Sequence, residues 1–175
     1  MSAVFALNLY MIKKIEIEYE LLDHAGLMSQ EDQVVLEAAR KATQTAFAPY
    51  SNFQVGAAAR LSSNEIVIGS NQESASYPVG ICAERTLLNS IGSQFSTEKV
   101  KVLAVSYDAI GKSSKEPLSP CGMCRQALLD YENRYQAPIK VILAGLEGPV
   151  QVFYTAADLL PFGFNGSVFS ELKGS

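Results

Sequence analysis

Residues 80–93 read GICAERTLLNSIGS, and they place a cysteine, a glutamate and an arginine where a helix should begin. Leucine and isoleucine residues then recur at helical spacing, which predicts an amphipathic helix. Residues 100–107, VKVLAVSY, follow as a nearly continuous apolar run, and such a run is typical of a strand that is buried on both faces. A helix followed by a buried strand predicts a layered α/β fold.

The remaining segments extend this pattern toward both ends of the chain. Ser29 is a favourable N-cap for a further helix upstream, and residues 121–135 predict another helix downstream. Because helices and strands alternate, we expect a three-layer α/β/α sandwich around a mixed five-stranded sheet. The candidate strands are residues 53–61 and 65–70, which form a hairpin pattern, and residues 100–107, 138–146 and 150–154.

The N-terminal part of the chain carries a separate pattern. Residues 13–22, KKIEIEYELL, alternate charged and apolar side chains, which predicts a half-buried strand outside the main domain. Residues 1–12 are apolar but too few to span a bilayer, and the basic pair Lys13 and Lys14 follows them, unlike the order in a secretory signal. We therefore expect a cytoplasmic protein with no membrane partner.

Charge and cysteine content narrow the classes of function. The 175 residues carry a formal net charge of −4, and no cluster of Lys and Arg suggests a face that binds phosphates. We therefore expect no nucleic-acid partner. Three cysteines cannot all pair with one another in disulfides, which agrees with a reducing compartment and favours metal or nucleophile chemistry.

All three cysteines stand at predicted helix starts. Cys82 opens one helix, and Cys121 and Cys124 lie in the first turns of the next, for which we expect Ser119 as N-cap and Pro120 at the first helical position. A helix N-terminus favours thiolates. Three protein ligands also leave zinc an open position for water, which is the pattern of a catalytic zinc site.

The spacing of the cysteines is also compatible with roles other than a catalytic metal site. A C-x-x-C pair can be a redox pair, and a buried cysteine can be a plain core residue. A structural zinc site normally needs a fourth protein ligand, and the sole histidine, His24, lies far upstream. A redox pair, however, has no need of Cys82 or of the neighbouring Glu84.

Charged residues beside the cysteines fit a catalytic zinc site. A carboxylate at Glu84 can move a proton between water at the metal and a substrate nitrogen, as hydrolytic deamination requires, although it can equally be a partner of the helix dipole. Arg85 stands three residues after Cys82, and Arg125 stands four after Cys121. Each arginine can donate to a ligand sulfur and offset the charge of three thiolates, unless it is an ordinary surface residue.

Five segments taken together resemble one enzyme family, the small homotetrameric, zinc-dependent cytidine deaminases. They are APYSNFQVGAA (48–58), NQESASY (71–77), CAER (82–85), PCGMCRQ (120–126) and LLPFGF (159–164). The resemblance implies a cytidine deaminase-like fold and hydrolytic deamination of cytidine and 2′-deoxycytidine in pyrimidine salvage. It covers about residues 29–165, so we assign residues 29–175 to the deaminase domain and residues 1–28 to an N-terminal extension with an extra strand.

The resemblance also assigns roles at the metal. It implies one zinc ion per subunit, held by Cys82, Cys121 and Cys124, with Glu84 as the proton shuttle. Arg85 and Arg125 would then lie directly behind the ligands.

Further roles implied by the resemblance concern the substrate. Asn71 and Glu73 would bind the ribose hydroxyls, Phe53 would pack on the pyrimidine, and the Ala83 amide would meet the base carbonyl. Phe164 would reach into the active site of a neighbouring subunit of a homotetramer. Ser74 departs from the asparagine usual at its position in the family. A deaminase of a related nucleoside such as blasticidin S is the alternative, although the ribose-binding pair favours an ordinary nucleoside.

Overall fold

The apolar runs at the centre of the chain form the inner strands of one sheet. The structure is a computed structural model, and it describes residues 11–166. The helices are α1 (Gln30–Ala42), α2 (Ala83–Gln94) and α3 (Gly122–Tyr135). The strands are β1 (Glu20–Leu22), β2 (Phe53–Leu61), β3 (Ile66–Ser70), β4 (Val100–Ala109), β5 (Lys140–Ala144) and β6 (Val150–Phe153). Most of the apolar run at residues 1–12 and the end of the predicted domain, residues 167–175, lie outside the described residues.

The sheet is mixed, and its strand order is β1-β6-β5-β4-β2-β3. β2 runs antiparallel to both β3 and β4, β4 runs parallel to β5, and β6 runs antiparallel to β5 and to β1. β3 and β4 therefore point in the same direction, and each is followed along the chain by a helix, α2 and α3 respectively. As a result, the N-termini of α2 and α3 lie at the same end of the sheet.

Helices cover both faces of the sheet, as the layered pattern predicted. On one face, α1 buries Val35 and Leu36 against the strands. On the other face, α2 and α3 bury Leu87 and Leu128. Neighbouring residues of β4 contribute to the two opposite layers, which explains why this strand has no polar face. None of the helices within residues 11–166 is long and apolar enough to cross a membrane.

The sheet has six strands, so the prediction of five was wrong. The sixth is β1, which comprises only the last three residues of the alternating segment 13–22 and pairs with Val150–Val152 of β6. β6 itself has four residues, and a strand extends only as far as its neighbour offers hydrogen-bonding groups. The boundary at residue 29 stays a prediction.

Side chains around β1 attach it to the sheet. The Tyr19 ring stacks on Phe153 with 5.2 Å between the ring centres. The Tyr154 hydroxyl donates to Glu20 Oε1 at 2.7 Å, and Leu22 packs against the cluster under α1. β1 therefore binds β6 through its side chains as well as through its backbone.

A glycine determines how closely α2 approaches the sheet. A Cβ atom placed on Gly69 of β3 would lie 2.6 Å from the Leu87 nitrogen and 2.7 Å from the Ala83 oxygen. Both are backbone atoms of α2, so a larger side chain would push the helix outward. The small residue at Gly69 therefore helps to place the beginning of α2.

Candidate functional site

The beginnings of α2 and α3 bring the three cysteine sulfurs together. Cys82 is the N-cap of α2, Cys121 is the N-cap of α3, and Cys124 lies in the first turn of α3. The Cys121 sulfur lies 3.8 Å from that of Cys82 and 3.5 Å from that of Cys124, and all three sulfurs lie within 4.8 Å of one another. The cluster has no fourth protein ligand among residues 11–166, and His24 instead accepts a hydrogen bond from the Gly26 amide.

The start of α3 differs from the prediction in which Ser119 was the N-cap. The helix begins at Gly122, and Cys121 occupies the cap with a non-helical backbone at φ −67° and ψ 167°. Neither Cys121 nor Cys82 makes a side-chain capping hydrogen bond. The cysteine side chains therefore leave the partial positive charge of both helix N-termini directed at the sulfur cluster.

The spacing of the sulfurs fits a tetrahedral zinc ion. Ligand sulfurs at about 2.3 Å from zinc lie about 3.8 Å apart at the tetrahedral angle. The Cys82–Cys121 separation is 3.8 Å and the Cys121–Cys124 separation is 3.5 Å. Three ligands leave one corner of the tetrahedron free, and Cys82 and Cys121 both line the cleft described below.

The pKa values of the cysteine thiols are also consistent with a cation bound between the three sulfurs. A hydrogen bond from the Cys124 thiol lowers the pKa of Cys82 to about 6, although burial and the Glu84 charge act in the opposite direction. The same hydrogen bond, together with burial and the negative charge of Glu84, raises the pKa of Cys124. Further thiolates in this cluster therefore need a cation to offset their charge.

Glu84 is a buried acid next to the sulfur cluster. Its relative exposure is 4%, and it lies in the first turn of α2, two residues after Cys82. Burial raises the pKa of Glu84, while hydrogen bonds from its own amide and from the Cys124 thiol act to lower it. An upward shift of the pKa makes a carboxylate a stronger proton acceptor, which favours a role as a general base.

The two arginines occupy different positions behind the ligands. Arg85 contacts the Met123 sulfur at 3.9 Å through Nη1, and its charge contributes to the lowered pKa of Cys82. Arg125 donates from Nε to the Pro120 carbonyl at 2.8 Å and from Nη1 to the Leu159 carbonyl at 3.2 Å. In these contacts Arg125 holds the backbone around Cys121 rather than a sulfur.

A cleft of about 700 Å³ opens in front of the sulfur cluster. It contains the predicted base-binding residues Phe53 and Ala83, and the Phe53 ring stacks on Tyr107 with 5.0 Å between ring centres. Glu84, Asn71 and Glu73 also line it. Several other residues line the cleft although the sequence assigned them no role in the site, because their place in the folded chain brings them here: Tyr50, Ser51, Tyr77, Ile81, Leu118 and Ser119.

Asn71 and Glu73 are held in place by the backbone of the cleft. Asn71 accepts from the Val55 amide at 2.8 Å and donates to the Phe53 carbonyl at 2.9 Å. Glu73 accepts from the Tyr50 amide at 2.9 Å and from the Ser51 hydroxyl, and these bonds lower its pKa. Both side chains are thus fixed before a substrate arrives, and each keeps unused hydrogen-bonding capacity.

The loop after Glu73 has its own support. Ser74, which differs from the family's usual asparagine, accepts a hydrogen bond from the Ser76 amide at 3.1 Å. Gln72 exchanges backbone hydrogen bonds with Ile81 at 2.9 and 3.0 Å. The hydroxyl at Ser74 therefore supplies a local turn contact within a loop that is also paired to the start of α2.

Phe164 lies away from the cleft of its own chain. It is not among the residues that line this cleft, and it is 64% exposed. Its backbone nitrogen donates to Gln126 Oε1 at 3.0 Å, and its carbonyl accepts from Gln126 Nε2 at 2.7 Å. The structure therefore brings together all the predicted site residues except Phe164 and the two arginines that lie behind the ligands.

Comparisons with known proteins identify the family of this chain. The family model for the zinc-binding region of cytidine and deoxycytidylate deaminases matches residues 29–136, a range that includes the three cysteines and Glu84. The cytidine deaminase of Halalkalibacterium halodurans is 36% identical over 132 residues, which are 75% of this chain and 92% of that protein. The cytidine deaminase of Sporosarcina psychrophila is 36% identical over 75% of this chain and 89% of its own length. The crystal structure of cytidine deaminase from Burkholderia pseudomallei superposes with a TM-score of 0.65 at 36% identity, covering 78% of this chain and all of that one.

Proposed function

Because this chain belongs to the cytidine deaminase family and is a cytidine deaminase, we propose that it hydrolyses cytidine and 2′-deoxycytidine to the uridine nucleosides and ammonia in a zinc-dependent reaction. The observation that carries this proposal is a buried carboxyl group, Glu84, which lies beside three cysteine sulfurs and lines a cleft of about 700 Å³ together with Cys82 and Cys121. We assign the enzyme to pyrimidine salvage in the cytoplasm. The relatives and structural neighbours described above carry the cytidine deaminase name, so a blasticidin S deaminase is not favoured.

The residues of this chain then share the chemistry as follows. Cys82, Cys121 and Cys124 would hold zinc, which when bound acts as a Lewis acid that makes water nucleophilic at neutral pH. Glu84 takes a proton from the attacking water and passes it to N3 of the pyrimidine as the C4–O bond forms. Glu84 then takes the remaining proton of that water, which is now the C4 hydroxyl proton, and transfers it to the amino group; the C4–N bond breaks, the C4 carbonyl forms, and ammonia leaves.

The walls of the cleft orient the nucleoside. The pre-fixed side chains of Asn71 and Glu73 accept the ribose hydroxyls with their remaining hydrogen-bonding capacity. Phe53, supported by Tyr107, packs on the pyrimidine ring, and the Ala83 amide donates to the base carbonyl. Since these groups are already held by backbone contacts, little ordering is needed when the substrate binds.

The charge of the cleft favours a nucleoside over a nucleotide. Among residues 11–166, its lining contains two acids, Glu73 and Glu84, and neither lysine nor arginine. A phosphate on the substrate would meet negative charge without a cation to bind it, and like charges brought together cost several kcal/mol. Discrimination against nucleotides is therefore built into the cleft.

Turnover of a substrate panel tests this function. We expect the purified protein to release ammonia from cytidine and deoxycytidine, with kcat/KM for CMP and dCMP lower by at least about 100-fold, the equivalent of about 2.7 kcal/mol. Cytosine and blasticidin S serve as controls for the ribose contacts and for the alternative substrate class. Equal turnover of dCMP and deoxycytidine would contradict the nucleoside assignment and leave the deaminase activity standing.

We further propose a homotetramer in which the Phe164 ring covers the base in the pocket of a neighbouring subunit. The ring is exposed and lies outside its own cleft, and that cleft is open at its mouth, where Tyr77 is 76% exposed. A ring from another subunit would exclude water from the reacting base and strengthen the electrostatic interactions inside the pocket.

Replacement of Phe164 by alanine tests the shared pocket. We expect Phe164→Ala to raise KM by roughly tenfold or more, because burial of a large aromatic contributes about 1.5–3 kcal/mol, and to leave the zinc content unchanged. Phe162→Ala is the matched control, because Phe162 is 88% exposed and lies only two residues away. Subunits carrying Phe164→Ala mixed with subunits carrying Glu84→Gln should regain activity above that of either parent, because some pockets then receive both intact groups. No gain in verified mixed oligomers would contradict the shared pocket.

A further inference from the structure

Gln126 makes a paired contact with the backbone of Phe164. The Gln126 Nε2 donates to the Phe164 carbonyl at 2.7 Å, and the Phe164 amide donates to Gln126 Oε1 at 3.0 Å. A side-chain amide thus satisfies both backbone groups of one residue in the way that a neighbouring strand would. We propose that Gln126 is a positioning residue, which holds the Phe164 backbone so that the ring can cover the nucleoside in the neighbouring subunit. This inference rests on the shared pocket proposed above.

The place of Phe164 in the fold explains why such an anchor matters. The last regular element of the described chain is the short 3-10 helix Ala156–Leu159, and Phe164 lies five residues beyond its end. The Phe164 side chain is 64% exposed, so the conformation of its backbone has a large influence on where the ring lies. Fixing its backbone at both the amide and the carbonyl limits the directions in which the ring can point.

Other contacts anchor the same segment upstream of Phe164. The Glu132 carboxylate accepts from the Thr155 hydroxyl at 2.9 Å and from the amides of Ala156 and Ala157 at 2.7 and 3.0 Å. Arg125 then donates to the Leu159 carbonyl at 3.2 Å. The start of the segment therefore stays attached when Gln126 is replaced, so the effect of that replacement should be local to Phe164.

The chemistry of Gln126 also limits its role to positioning. Its Nε2 makes a further hydrogen bond to Asp130 Oδ1 at 2.9 Å, and it does not line the cleft of its own chain. It lies in α3 two residues after Cys124, whose sulfur belongs to the metal cluster. One helix therefore holds both a zinc ligand and the anchor of the ring that serves another pocket.

A double-mutant cycle between Gln126 and Phe164 tests this inference. Gln126→Met keeps the length and helix propensity of the side chain but removes both hydrogen bonds, and Gln126→Ala is a second variant in case methionine repacks. We expect either to raise KM by about five- to tenfold, since each lost hydrogen bond weakens binding by a factor of about two to ten. We expect kcat within about twofold and an unchanged zinc content, and we expect the double variant with Phe164→Ala to have the KM of Phe164→Ala alone within about twofold.

A control and a second measurement make the outcome unambiguous. Asp130→Ala removes the other partner of Gln126 and should leave KM within about twofold of the wild type. Equilibrium binding of cytidine to the same variants in a Glu84→Gln background should show the same ranking without turnover. If Phe164→Ala raises KM and both Gln126 variants do not, or if the two effects multiply in the double variant, the role of Gln126 is wrong and the shared pocket stands. If Phe164→Ala itself has no effect, the shared pocket fails and the positioning role fails with it.

Discussion

Glu84→Gln is expected to lower kcat by at least about 10⁴-fold while zinc stays bound, because one side chain serves as both base and acid and each such role is worth about 10²- to 10⁴-fold. Glutamine has nearly the same shape, so the packing around this buried position should be kept. It cannot carry a proton from water to the pyrimidine nitrogen. Steady-state kinetics on cytidine, together with metal analysis of the same sample, measure the two expectations.

The same substitution at Glu73 is the matched control for Glu84→Gln. Glu73 also lines the cleft, but its carboxylate bonds to the loop at Tyr50 and Ser51 and does not adjoin the sulfurs. Glu73→Gln should therefore act mainly on KM. Activity of Glu84→Gln within about tenfold of the wild type would show that this carboxyl group does not carry the proton.

Cys124→Ala is expected to remove both metal and activity. Cys124 is fully buried, its sulfur lies 3.5 Å from that of Cys121, and among residues 11–166 only Cys82 and Cys121 join it in the cluster of possible ligands. Two remaining sulfurs do not make a closed zinc site, and loss of a ligand lowers zinc affinity by orders of magnitude. We expect close to one zinc per chain in the wild type and close to none in the variant after dialysis, with deamination reduced by at least about 10⁴-fold.

Met123→Ala provides the control for Cys124→Ala. Met123 lies between the two ligands of α3 and is 63% exposed, so its loss should leave the metal bound. Thermal unfolding with and without a chelator adds an independent reading, since zinc that binds only the folded chain raises the melting temperature. Deamination by a metal-free Cys124→Ala protein would overturn the assignment of the cysteines.

Local sequence signals are sufficient to predict the parts of the site that lie at the starts of helices. Cys82, Cys121 and Cys124 each stand where an apolar helical pattern begins, and the topology of β3 and β4 then brings those starts together. The predicted N-cap at Ser119 was wrong, because serine is a favourable cap but the backbone of Cys121 takes the non-helical conformation instead. Propensity ranks possible caps and does not decide between close neighbours.

Contacts between distant parts of the chain could not be predicted from the sequence. Gln126 meets Phe164 and Glu132 meets Thr155 across a loop and two strands, and neither spacing is a recognised pattern. The alternation at residues 13–22 predicted a half-buried strand, but only residues 20–22 form one. The predicted buried face was wrong, since Ile15, Ile17 and Leu21 are 49%, 43% and 61% exposed. Contacts with residues that are distant in the sequence determine strand length and these hydrogen bonds, and a single sequence does not show which residues make such contacts.

The strand β1 has a consequence for the behaviour of the protein in concentrated solution. It pairs with β6 along Val150–Val152, and Tyr19 covers one face of Phe153. The region that the family model matches begins at residue 29, and a chain that lacked the residues before that point would end its sheet at β6 with unpaired amides and carbonyls. Such an open edge is a template for strand pairing between molecules and for aggregation. The N-terminal segment thus protects this sheet edge from strand pairing between molecules, and we expect a truncation that leaves the active site intact to lower the solubility of the protein.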